Sequence, residues 1–472
     1  MPDVIDRLER SLGSRVCRDA ETLSAHARDS WSLSELLDFQ GNPSPIPIAV
    51  IQVESTNDVA TTLRICREHN TPLVTYGGGS GVCGAILVGE GTVVLSTRGL
   101  SGLIEIDEGD LTATFGAGTM GGDAERKVQE HGLTIGHWPQ SIELSTVGGW
   151  VATRASGQYS TAYGNIEDMI LDLEVVLPDG QILRTRRTPR AAAGPDLRQW
   201  FLGSEGILGV VTEVTLSLRP LAEHQIRQAF HFEGLHGALP LIQGVMREGW
   251  RPPVLRLYDP RESRRHFGDA CPRGRAMLIL LHEGPKAAAT IEAEAVATRC
   301  RAAGGKRAEA SAVDEWFEKR NEVPSFRSLA EAGLVVDTIE VASTWQHLAP
   351  IYDAVTESLN QVPGMLSATA HTSHAYRSGA NLYFTFVAKP EDPASMSAVY
   401  RECWDRAMRA TLANHGGIAH HHGIGRVRRD HLASEIGEVG VSLLRSLKAA
   451  LDPAGLLNPG NLLPPLERDG ER

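Results

Sequence analysis

The sequence lacks the marks of membrane-spanning and exported proteins. No run approaches the roughly eighteen consecutive apolar residues of a membrane span. The segment Met1–Arg7 does not show the basic and then apolar pattern of a signal peptide. The six cysteines are scattered, without the spacing of a zinc site or of a disulfide framework. We therefore expect reduced thiols, a cytoplasmic location and no metal site.

Basic residues are also fewer than acidic ones. The net charge is −12 at pH 7, which argues against nucleic acid or an anionic membrane surface as the main partner. A hydrophobic content of 42% with 22% charged residues is typical of a soluble globular protein. The 472 residues suffice for two or three domains with a sizeable core.

The first half of the sequence does contain an alternation of short strands and helices. A helix is predicted over Thr56–His69, with Ser55 or Thr56 as its N-cap. Two later stretches, Ala287–Ala303 and Glu435–Leu451, also have helical spacing. The strand-like runs are Ile48–Val53, Pro72–Tyr76, Thr92–Leu95, Leu103–Ile106, Leu111–Phe115, Leu171–Leu177 and Ile207–Leu218.

Glycines form a dense cluster at Gly77–Gly81, directly after one of these strands. Because glycine has no Cβ, successive backbone N–H groups can converge there on an anion such as a phosphate. The stretch Gly79–Gly84 matches the dinucleotide fingerprint only formally, since that motif needs a helix straight after the loop. A tight structural turn is the alternative interpretation of this loop taken alone.

Two further glycine clusters favour a binding role over a simple turn. They occupy Ser145–Gly157 and Gly203–Gly209, and both contain hydroxyl side chains. Three such loops, each next to a strand, suit a long cofactor. The first loop is expected to take a pyrophosphate, and the hydroxyls and amides of the others a ring system along its polar edge.

Three consecutive histidines, His420, His421 and His422, precede Gly423. Histidine is the side chain whose pKa lies nearest neutrality, so the run predicts an active-site role as a set of proton donors and acceptors. A solvated surface run and a cloning tag are the alternatives, and the internal position argues against a tag. On a strand, His420 and His422 would point one way and His421 the other, which disfavours a single-metal site.

The glycine loops together resemble the vanillyl-alcohol oxidase / p-cresol methylhydroxylase family of FAD proteins, over about residues 40–220 and the C-terminal tail. Some members tether FAD through a histidine in the first loop. The stretch Gly79–Cys83 contains none, so the resemblance implies non-covalent FAD. The residues it implies as FAD ligands are Thr75, Tyr76, Gly77, Gly78, Gly79, Ser80, Gly81, Gln140, Ser141, Ser145, Thr146, Gly149, Thr153, Arg154, Ala155, Ser156, Gly203, Glu205, Gly206, Ile207 and Gly209.

A narrower resemblance, to the alkyl-dihydroxyacetonephosphate synthases, rests on Ser145–Gly157, Tyr163–Asp168, Leu382–Phe384 and the histidine run with Gly423–Gly425. The Gly-His-x-Gly-Asp-Gly-Asn metal motif of related 2-hydroxy-acid dehydrogenases is missing from Ser373–Asn381. The resemblance implies a transferase of ether-lipid chemistry, exchanging an acyl for an alkoxy group through a flavin adduct without net redox change. An FAD-dependent oxidoreductase of a hydroxy acid or alcohol, and a flavin-binding protein without catalysis, are the alternatives.

The same resemblance implies a set of catalytic residues: Tyr383, His420, His421, His422, Arg256, Arg320 and His137. Tyr383 would be the general acid/base, and the two arginines would hold a phosphate or a leaving carboxylate. Taken singly, each has a plain structural alternative. Tyr383 could be a buried structural tyrosine, Arg256 a strand residue facing solvent, Arg320 a solvated helix charge and His137 a satisfied structural histidine.

The resulting expectation is a two-domain α+β flavoprotein. It comprises an FAD-binding domain over residues 1–220, an inserted α/β substrate cap domain over residues 221–425, and a C-terminal segment, residues 426–472, that returns to the first domain. The expected partner is a small molecule, and both a phosphorylated and a lipidic substrate are left open. A homodimer is left open, whereas nucleic acid and a transmembrane segment are not expected.

Overall fold

The computed structural model describes residues 2–322 and 325–465. In the part before residue 221 the helices are α1 (Pro2–Leu12), α2 (Ala20–Ala25), α3 (Ser32–Phe39), α4 (Thr56–Glu68), α5 (Gly121–Gln129), α6 (Val147–Thr153), α7 (Ser160–Tyr163), α8 (Ile166–Met169) and α9 (Arg198–Phe201). The strands there are β1 (Val16–Cys17), β2 (Ala49–Gln52), β3 (Leu73–Tyr76), β4 (Val93–Ser96), β5 (Leu103–Asp107), β6 (Thr112–Gly116), β7 (Leu133–Thr134), β8 (Ile170–Val176), β9 (Ile182–Arg184), β10 (Val210–Ser217) and β11 (Arg219–Pro220).

The rest of the chain holds longer elements. The strands are β12 (His224–Phe232), β13 (Val254–Tyr258), β14 (Ala276–Gly284), β15 (Lys306–Ala308), β16 (Val335–Thr344), β17 (Met365–Thr372) and β18 (Gly379–Ala388). The helices are α10 (Leu235–Arg247), α11 (Pro260–Phe267), α12 (Lys286–Ala302), α13 (Ser311–Lys319), α14 (Phe326–Glu331), α15 (Trp345–Asn360), α16 (Met396–Ala413) and α17 (Leu432–Leu451). Short 3-10 helices lie at Gly13–Arg15, Thr97–Gly99, Gly268–Ala270, Pro393–Ser395 and Arg429–His431.

Three sheets occupy the part before residue 221. The first has the order β1-β2-β4-β3, with β2, β4 and β3 parallel and β1 antiparallel at the edge. The second is antiparallel, in the order β5-β6-β10-β8-β9, and β7 pairs with β11 in a small third sheet. The first glycine loop follows β3 directly. Because β3 is parallel to its neighbour, the loop leaves the sheet at the carboxyl end of its parallel strands.

Helix α4, which covers the parallel sheet, begins with a capping box. The Ser55 hydroxyl accepts from the N–H of Asp58 at 3.2 Å, and the Asp58 carboxylate accepts from the N–H of Ser55 at 3.1 Å. Ser55 is therefore the N-cap, one of the two residues predicted. Val59 and Leu63, four residues apart on one face, are buried with the apolar side chains of β2 and β4.

The fourth sheet is antiparallel and has seven strands, in the order β15-β12-β14-β13-β17-β18-β16. Helices α10, α12, α15 and α16 pack on one face and form the largest apolar core. At the centre of the sheet, β13 and β17 join through two residue pairs, Leu257 with Thr372 and Tyr258 with His371. The uncovered side of β13, β16 and β18 faces the glycine loops.

The end of the chain returns to the part before residue 221. The N–H of Leu73 donates to the carbonyl of Leu456 at 2.9 Å, and the N–H of Asn458 donates to the carbonyl of Leu73 at 2.7 Å. Helix α17 joins the apolar core of the five-stranded sheet. On this basis we propose the chain division 1–220, 221–425 and 426–472, since the first three sheets end at Pro220 and the fourth begins at His224.

The predicted α+β fold class is confirmed, and each predicted strand and helix is present. Two bounds differ. The last helix begins at Leu432 instead of Glu435 and is broken at Gly437, whose φ is 76°. The run predicted from Ile207 becomes a strand only at Val210, because the preceding residues belong to the third glycine loop. Within the described ranges, no helix is long and apolar enough to cross a membrane.

Candidate active site

A cavity of about 1070 Å³ lies between the glycine loops and the uncovered face of the seven-stranded sheet. One wall comes from the three glycine loops. The opposite wall comes from β13, β16 and β18 together with α11, α13 and α14, and the histidine run and the tail close the space between them. The volume matches the upper range of pockets that enclose a cofactor or a drug-sized molecule.

The first glycine loop packs backbone to backbone on the second glycine cluster. A Cβ on Gly78 would lie 2.1 Å from the carbonyl oxygen of Leu144, and Gly79 has a φ of +68°. Gly78 is therefore required for space and Gly79 for backbone conformation. Both glycines line the cavity, so these constraints fix the shape of its wall.

Glu205 ties the third glycine loop to the C-terminal segment. Its buried carboxylate accepts from the N–H groups of Ile424 at 2.6 Å and Gly425 at 2.9 Å, and from the side-chain amide of Asn461 at 3.0 Å. Burial raises the pKa of Glu205, although these hydrogen bonds act in the other direction. The loop and the segment that follows the histidine run therefore form one unit.

Most of the predicted FAD-binding residues lie on the cavity wall. They are Thr75, Tyr76, Gly77, Gly78, Gly79, Ser80, Gly81, Gln140, Ser141, Ser145, Thr146, Gly149, Thr153, Ala155, Ser156, Glu205, Gly206 and Gly209. The structure does not bring Arg154, Gly203 or Ile207 there. Arg154 ends α6 in the left-handed conformation and turns its guanidinium to Glu167 at 3.3 Å, Gly203 lies behind Arg154, and Ile207 is buried in the core.

Several buried polar atoms on the cavity wall have no partner in the described part of the chain. Those on the side of the glycine loops and the tail include Oγ1 of Thr75 and Oδ1 of Asn458. Buried polar atoms ordinarily find a hydrogen-bond partner, so the wall is suited to a polar molecule such as FAD. Asn458 was not predicted, because the sequence around it shows only the turn pattern Asn458–Asn461.

The histidine run lies in bends outside the strands, so the predicted strand alternation of its side chains is wrong. The reason is that backbone N–H groups of the run donate hydrogen bonds to a side chain instead of to a neighbouring strand. The buried Glu340 carboxylate on β16 accepts from the N–H groups of His420 and His422, the latter at 2.8 Å. Arg428 donates to the same carboxylate at 3.1 Å. Burial alone would raise the pKa of Glu340, but Arg428 and the backbone N–H of His420 lower it.

All three rings of the run are neutral at pH 7. Burial lowers the pKa of His420 to about 4 and that of His422 to about 3, and it holds the pKa of His421 well below its ordinary value. His421 and His422 line the cavity, whereas His420 lies behind them. A neutral imidazole on the wall can accept a proton from a bound molecule.

His420 connects His421 to polar groups behind the cavity. Its Nδ1 lies 2.9 Å from Nδ1 of His421, and its Nε2 lies 2.8 Å from the hydroxyl oxygen of Tyr376. Tyr376 also donates to Oδ1 of Asn165 at 3.1 Å. Neither Tyr376 nor Asn165 was predicted, since they lie far apart in the sequence and only the fold brings them together.

His374 adds a further ring beside the run. Candidate ligand atoms of His374, His420 and His421 lie within 4.8 Å of one another, which is close enough to share a metal ion. Nδ1 of His374 lies 2.6 Å from the Ser160 hydroxyl. His374 was not predicted as a site residue, because the stretch around it, Ser373–Asn381, lacks the metal motif of the related dehydrogenases. The expected absence of a metal stays a prediction.

Tyr383 lies on β18 with its ring facing the cavity. The ring stacks on His371, with centroids 4.9 Å apart, and meets His422 edge to face at 5.5 Å. The hydroxyl donates to Thr338 at 3.0 Å. Burial raises the pKa of Tyr383 far above its ordinary value, so the phenol keeps its proton at neutral pH. The structure thus brings Tyr383 together with His422 and, at a centroid distance of 6.1 Å, with His421 of the run.

Arg256, on β13, faces the cavity rather than solvent. It donates from Nε to the Tyr258 hydroxyl at 2.9 Å and from Nη2 to Nε2 of His371 at 2.8 Å. Arginine only donates, so Nε2 of His371 is the acceptor and its Nδ1 carries the proton. That Nδ1 donates to Glu262 at 3.1 Å. His371 and Glu262, neither predicted, therefore orient Arg256.

Arg320 follows α13 and is packed among aromatic rings. Its guanidinium carbon lies 4.8 to 5.6 Å from the ring centroids of Trp138, Tyr159, Trp316 and Phe317. Its Nη1 is buried and has no hydrogen-bond partner among the described residues. Such cation–π contacts hold the planar group in place, so an anion in the cavity would find an oriented donor.

His137 does not reach the cavity wall. Its ring is fully buried and meets Trp150 at a centroid distance of 4.6 Å. Burial lowers its pKa to about 3, and neither ring nitrogen has a partner in the described part of the chain. The structure places His137 against the apolar core of the part before residue 221, apart from the other predicted catalytic residues.

Comparisons with known proteins agree on the family. A family model for the FAD binding domain matches residues 47–186, and a model for the C-terminal domain of FAD linked oxidases matches residues 221–462. The FAD-linked oxidoreductase YgcU of Escherichia coli strain K12, itself uncharacterized, is 32% identical over 98% of both chains. Alkyldihydroxyacetonephosphate synthase of Trypanosoma brucei brucei is 30% identical over 93% of this chain and 76% of its own. A solved alkyldihydroxyacetonephosphate synthase superposes with a TM-score of 0.81 at 24% identity, covering 98% of this chain and 85% of its own, which supports the fold.

Proposed function

The chain belongs to the FAD-linked oxidases with an FAD binding domain and a C-terminal oxidase domain, and from this premise we propose that it exchanges an acyl for an alkoxy group on a phosphorylated ketone without net redox change. One observation carries the proposal. A single cavity contains glycine loops on one wall and two oriented arginines on the other, with neutral histidines and a neutral tyrosine in the same space.

The two arginines support an anionic substrate. Arg256 and Arg320 both pack against Trp316, at 5.3 and 5.6 Å from its ring centroid. Both line the cavity, and Arg320 keeps a buried donor free. Two planar guanidinium groups suit the oxygens of a phosphate better than a single ammonium would. We assign them to the phosphate of the substrate or to the carboxylate that leaves.

Proton transfer is assigned to the histidines and the tyrosine. Exchange at the carbon next to a ketone requires removal and return of a proton at that carbon, which a positioned base performs. His421 and His422 are neutral, so they can accept it. Tyr383 keeps its proton, so it can donate a hydrogen bond to the ketone oxygen when it turns from Thr338 to the substrate. The stack of Tyr383 on His371 holds the phenol in place.

The glycine-loop wall fits FAD, with Thr75, Gly77–Gly81, Thr146 and Asn458 as the residues that would hold it. When bound, FAD supplies the electron-poor ring on which this class of group exchange depends. We propose that it binds non-covalently, because the loop lacks histidine and the Cys83 thiol turns away to Arg428 at 2.9 Å. Acid precipitation should release intact FAD, whereas yellow colour that stays with the pellet would contradict this.

Anaerobic mixing tests the proposed reaction. FAD-loaded protein is mixed with an acyl-dihydroxyacetone phosphate while the oxidised-flavin absorbance is followed. We expect bleaching with release of fatty acid, and recovery on adding a fatty alcohol in the absence of any electron acceptor. Arg320→Met should raise KM for this substrate, whereas Arg301→Met, at an exposed position on α12, should not. Absence of both bleaching and fatty acid release would reject the exchange reaction.

An oxidoreductase acting on a hydroxy acid is the second candidate. The observation that favours it is Arg256, whose orientation by His371 and Tyr258 would also suit a carboxylate beside a neutral histidine base. In the same anaerobic experiment, a hydroxy acid would then cause lasting bleaching that only an electron acceptor reverses. The two outcomes are exclusive for a given substrate, so the experiment separates the candidates.

Six free cysteines support a reducing compartment such as the cytoplasm for either candidate function.

A further inference from the structure

A continuous hydrogen-bonded chain runs from the cavity wall into the first part of the molecule. It begins at His421, passes through Nδ1 and Nε2 of His420 to the hydroxyl of Tyr376, and ends at Oδ1 of Asn165. The same Oδ1 accepts from the Ser156 hydroxyl at 2.7 Å. The chain therefore joins the histidine run to a residue of the second glycine cluster.

The amide oxygen at the end of this chain determines where each proton lies. Because Oδ1 of Asn165 only accepts, Tyr376 donates to it, and the phenol oxygen must accept from Nε2–H of His420. A neutral His420 then has a lone pair on Nδ1. The group 2.9 Å away, Nδ1 of His421, must supply the proton for that contact. In a neutral His421 the remaining nitrogen, Nε2, carries a lone pair.

We propose that Asn165, Tyr376 and His420 are positioning residues that hold His421 in the tautomer protonated at Nδ1, so that its Nε2 is the base facing the cavity. Nε2 of His421 has no hydrogen-bond partner within the described ranges, and its residue lines the cavity. His422 has a different role, since its backbone N–H is bonded to Glu340 and its Nδ1 lies 3.6 Å from that carboxylate.

The chemical consequence rests on the proposed function. The C–H bond next to the ketone breaks, its proton forms an N–H bond at Nε2 of His421, and its electron pair passes toward the ketone oxygen. The resulting imidazolium already donates from Nδ1 to the lone pair of His420. That contact stabilises the cation as it forms, in the way that an oriented acceptor supports a catalytic histidine. No electron is gained or lost in the step.

Nuclear magnetic resonance of the FAD-loaded protein with ¹⁵N-labelled histidine tests the tautomer directly. Protonated and unprotonated ring nitrogens give separate signals, and His421→Gln identifies those of His421. We expect a protonated Nδ1 and an unprotonated Nε2. Tyr376→Phe and Asn165→Leu should give a mixture of both tautomers. Asn165→Asp, which keeps an acceptor at the end of the chain, should restore the single tautomer.

Kinetics of the same variants test the positioning role. We expect Tyr376→Phe and Asn165→Leu to lower kcat by about 10- to 100-fold with KM and FAD content near wild type, and Asn165→Asp to recover most of the rate. Tyr352→Phe is the matched control, because Tyr352 donates to Asp259, outside the hydrogen-bonded chain that ends at Asn165. Neither Tyr352 nor Asp259 belongs to the hydrogen-bonded chain from His421 to Asn165, so the His421 signals of this variant should not change.

Three results would overturn the proposal. The first is a wild-type His421 protonated at Nε2, and the second is an unchanged tautomer in Tyr376→Phe. The third is a stoichiometric metal ion in the purified protein that removes the Nδ1 proton, since His374, His420 and His421 also lie close enough to bind one. The tautomer spectrum does not depend on which substrate turns over. An expected spectrum without acyl exchange would therefore reject the proposed function alone.

Discussion

At the scale of single residues, Tyr383 is the sharpest test of the proposed chemistry. Its hydroxyl has one partner in the described part of the chain, Thr338. Tyr383→Phe keeps the ring and its stack on His371. We expect turnover to fall by about 10²- to 10⁴-fold, the usual cost of losing one acid/base group. Melting temperature and FAD content should stay near wild type, and all three are measured on one preparation.

Tyr400→Phe is the control for this change. The Tyr400 hydroxyl donates to the buried Asp337 carboxylate at 2.5 Å and accepts from Trp31 at 2.9 Å. Its loss should cost about 1–3 kcal/mol of stability, because a buried carboxylate loses a partner, with turnover per FAD-loaded molecule intact. If Tyr383→Phe instead behaves like this control, less stable but fully active, Tyr383 is a structural residue.

Single residues also show where prediction from the sequence ends. Arg320 has the sequence context of a solvated helix charge, and only the fold packs Trp138 and Tyr159, from a region more than a hundred residues earlier, against it. His371 and Tyr376 have no motif at all. Their importance follows from partners, Arg256 and His420, that lie far away in the sequence and adjacent in space.

At the scale of elements, the first glycine loop can be tested by a single methyl group. In Gly78→Ala the added Cβ would lie 2.1 Å from the carbonyl oxygen of Leu144, so the two loops must separate. We expect loss of most bound FAD, measured as the ratio of flavin to protein absorbance, with the circular dichroism spectrum retained.

Gly89→Ala is the matched control in the same connection between β3 and β4. A Cβ there would lie 3.8 Å from the nearest side-chain atom, an ordinary contact. FAD content should not change in this variant. Full FAD content in Gly78→Ala as well would remove the first loop from the cofactor site.

Regular elements were easier to predict than the loops between them. Strand β3 and helix α4 follow from local hydrophobic spacing and a Ser-x-x-Asp cap, which act over a few residues. The histidine run was wrongly given strand geometry, because the carboxylate that holds its backbone, Glu340, lies about eighty residues away. Local sequence carries no information about a distant carboxylate that accepts backbone N–H groups in place of a neighbouring strand.

At the scale of the whole molecule, the tail and the glycine loops form one site. The side-chain amide of Asn458 donates to the carbonyls of Ala85 at 3.1 Å and Glu205 at 2.7 Å, so it bridges three distant segments. Asn458→Ala removes both bonds. We expect faster FAD release in dilution experiments, and a smaller rise of melting temperature on adding FAD, because the ligand stabilises in proportion to its affinity.

Asn414→Ala controls for the loss of an asparagine. The Asn414 side chain donates to Ala410 within the last turn of α16, far from the tail. It should lower stability slightly and leave FAD release unchanged. Equal FAD release from wild type and Asn458→Ala would show that the tail contact does not contribute to cofactor binding.

The sequence separation between Glu205 and its hydrogen-bond partners also determines when they can meet during synthesis. Asn461, which donates to the Glu205 carboxylate, follows it by 256 residues. At about 5–20 residues per second, a ribosome needs roughly 13–50 s to add them. For most of that interval the carboxylate also lacks its partners Ile424 and Gly425, which follow it by 219 and 220 residues. The proposed cofactor site can therefore be completed only near the end of translation, after the whole seven-stranded sheet has been made.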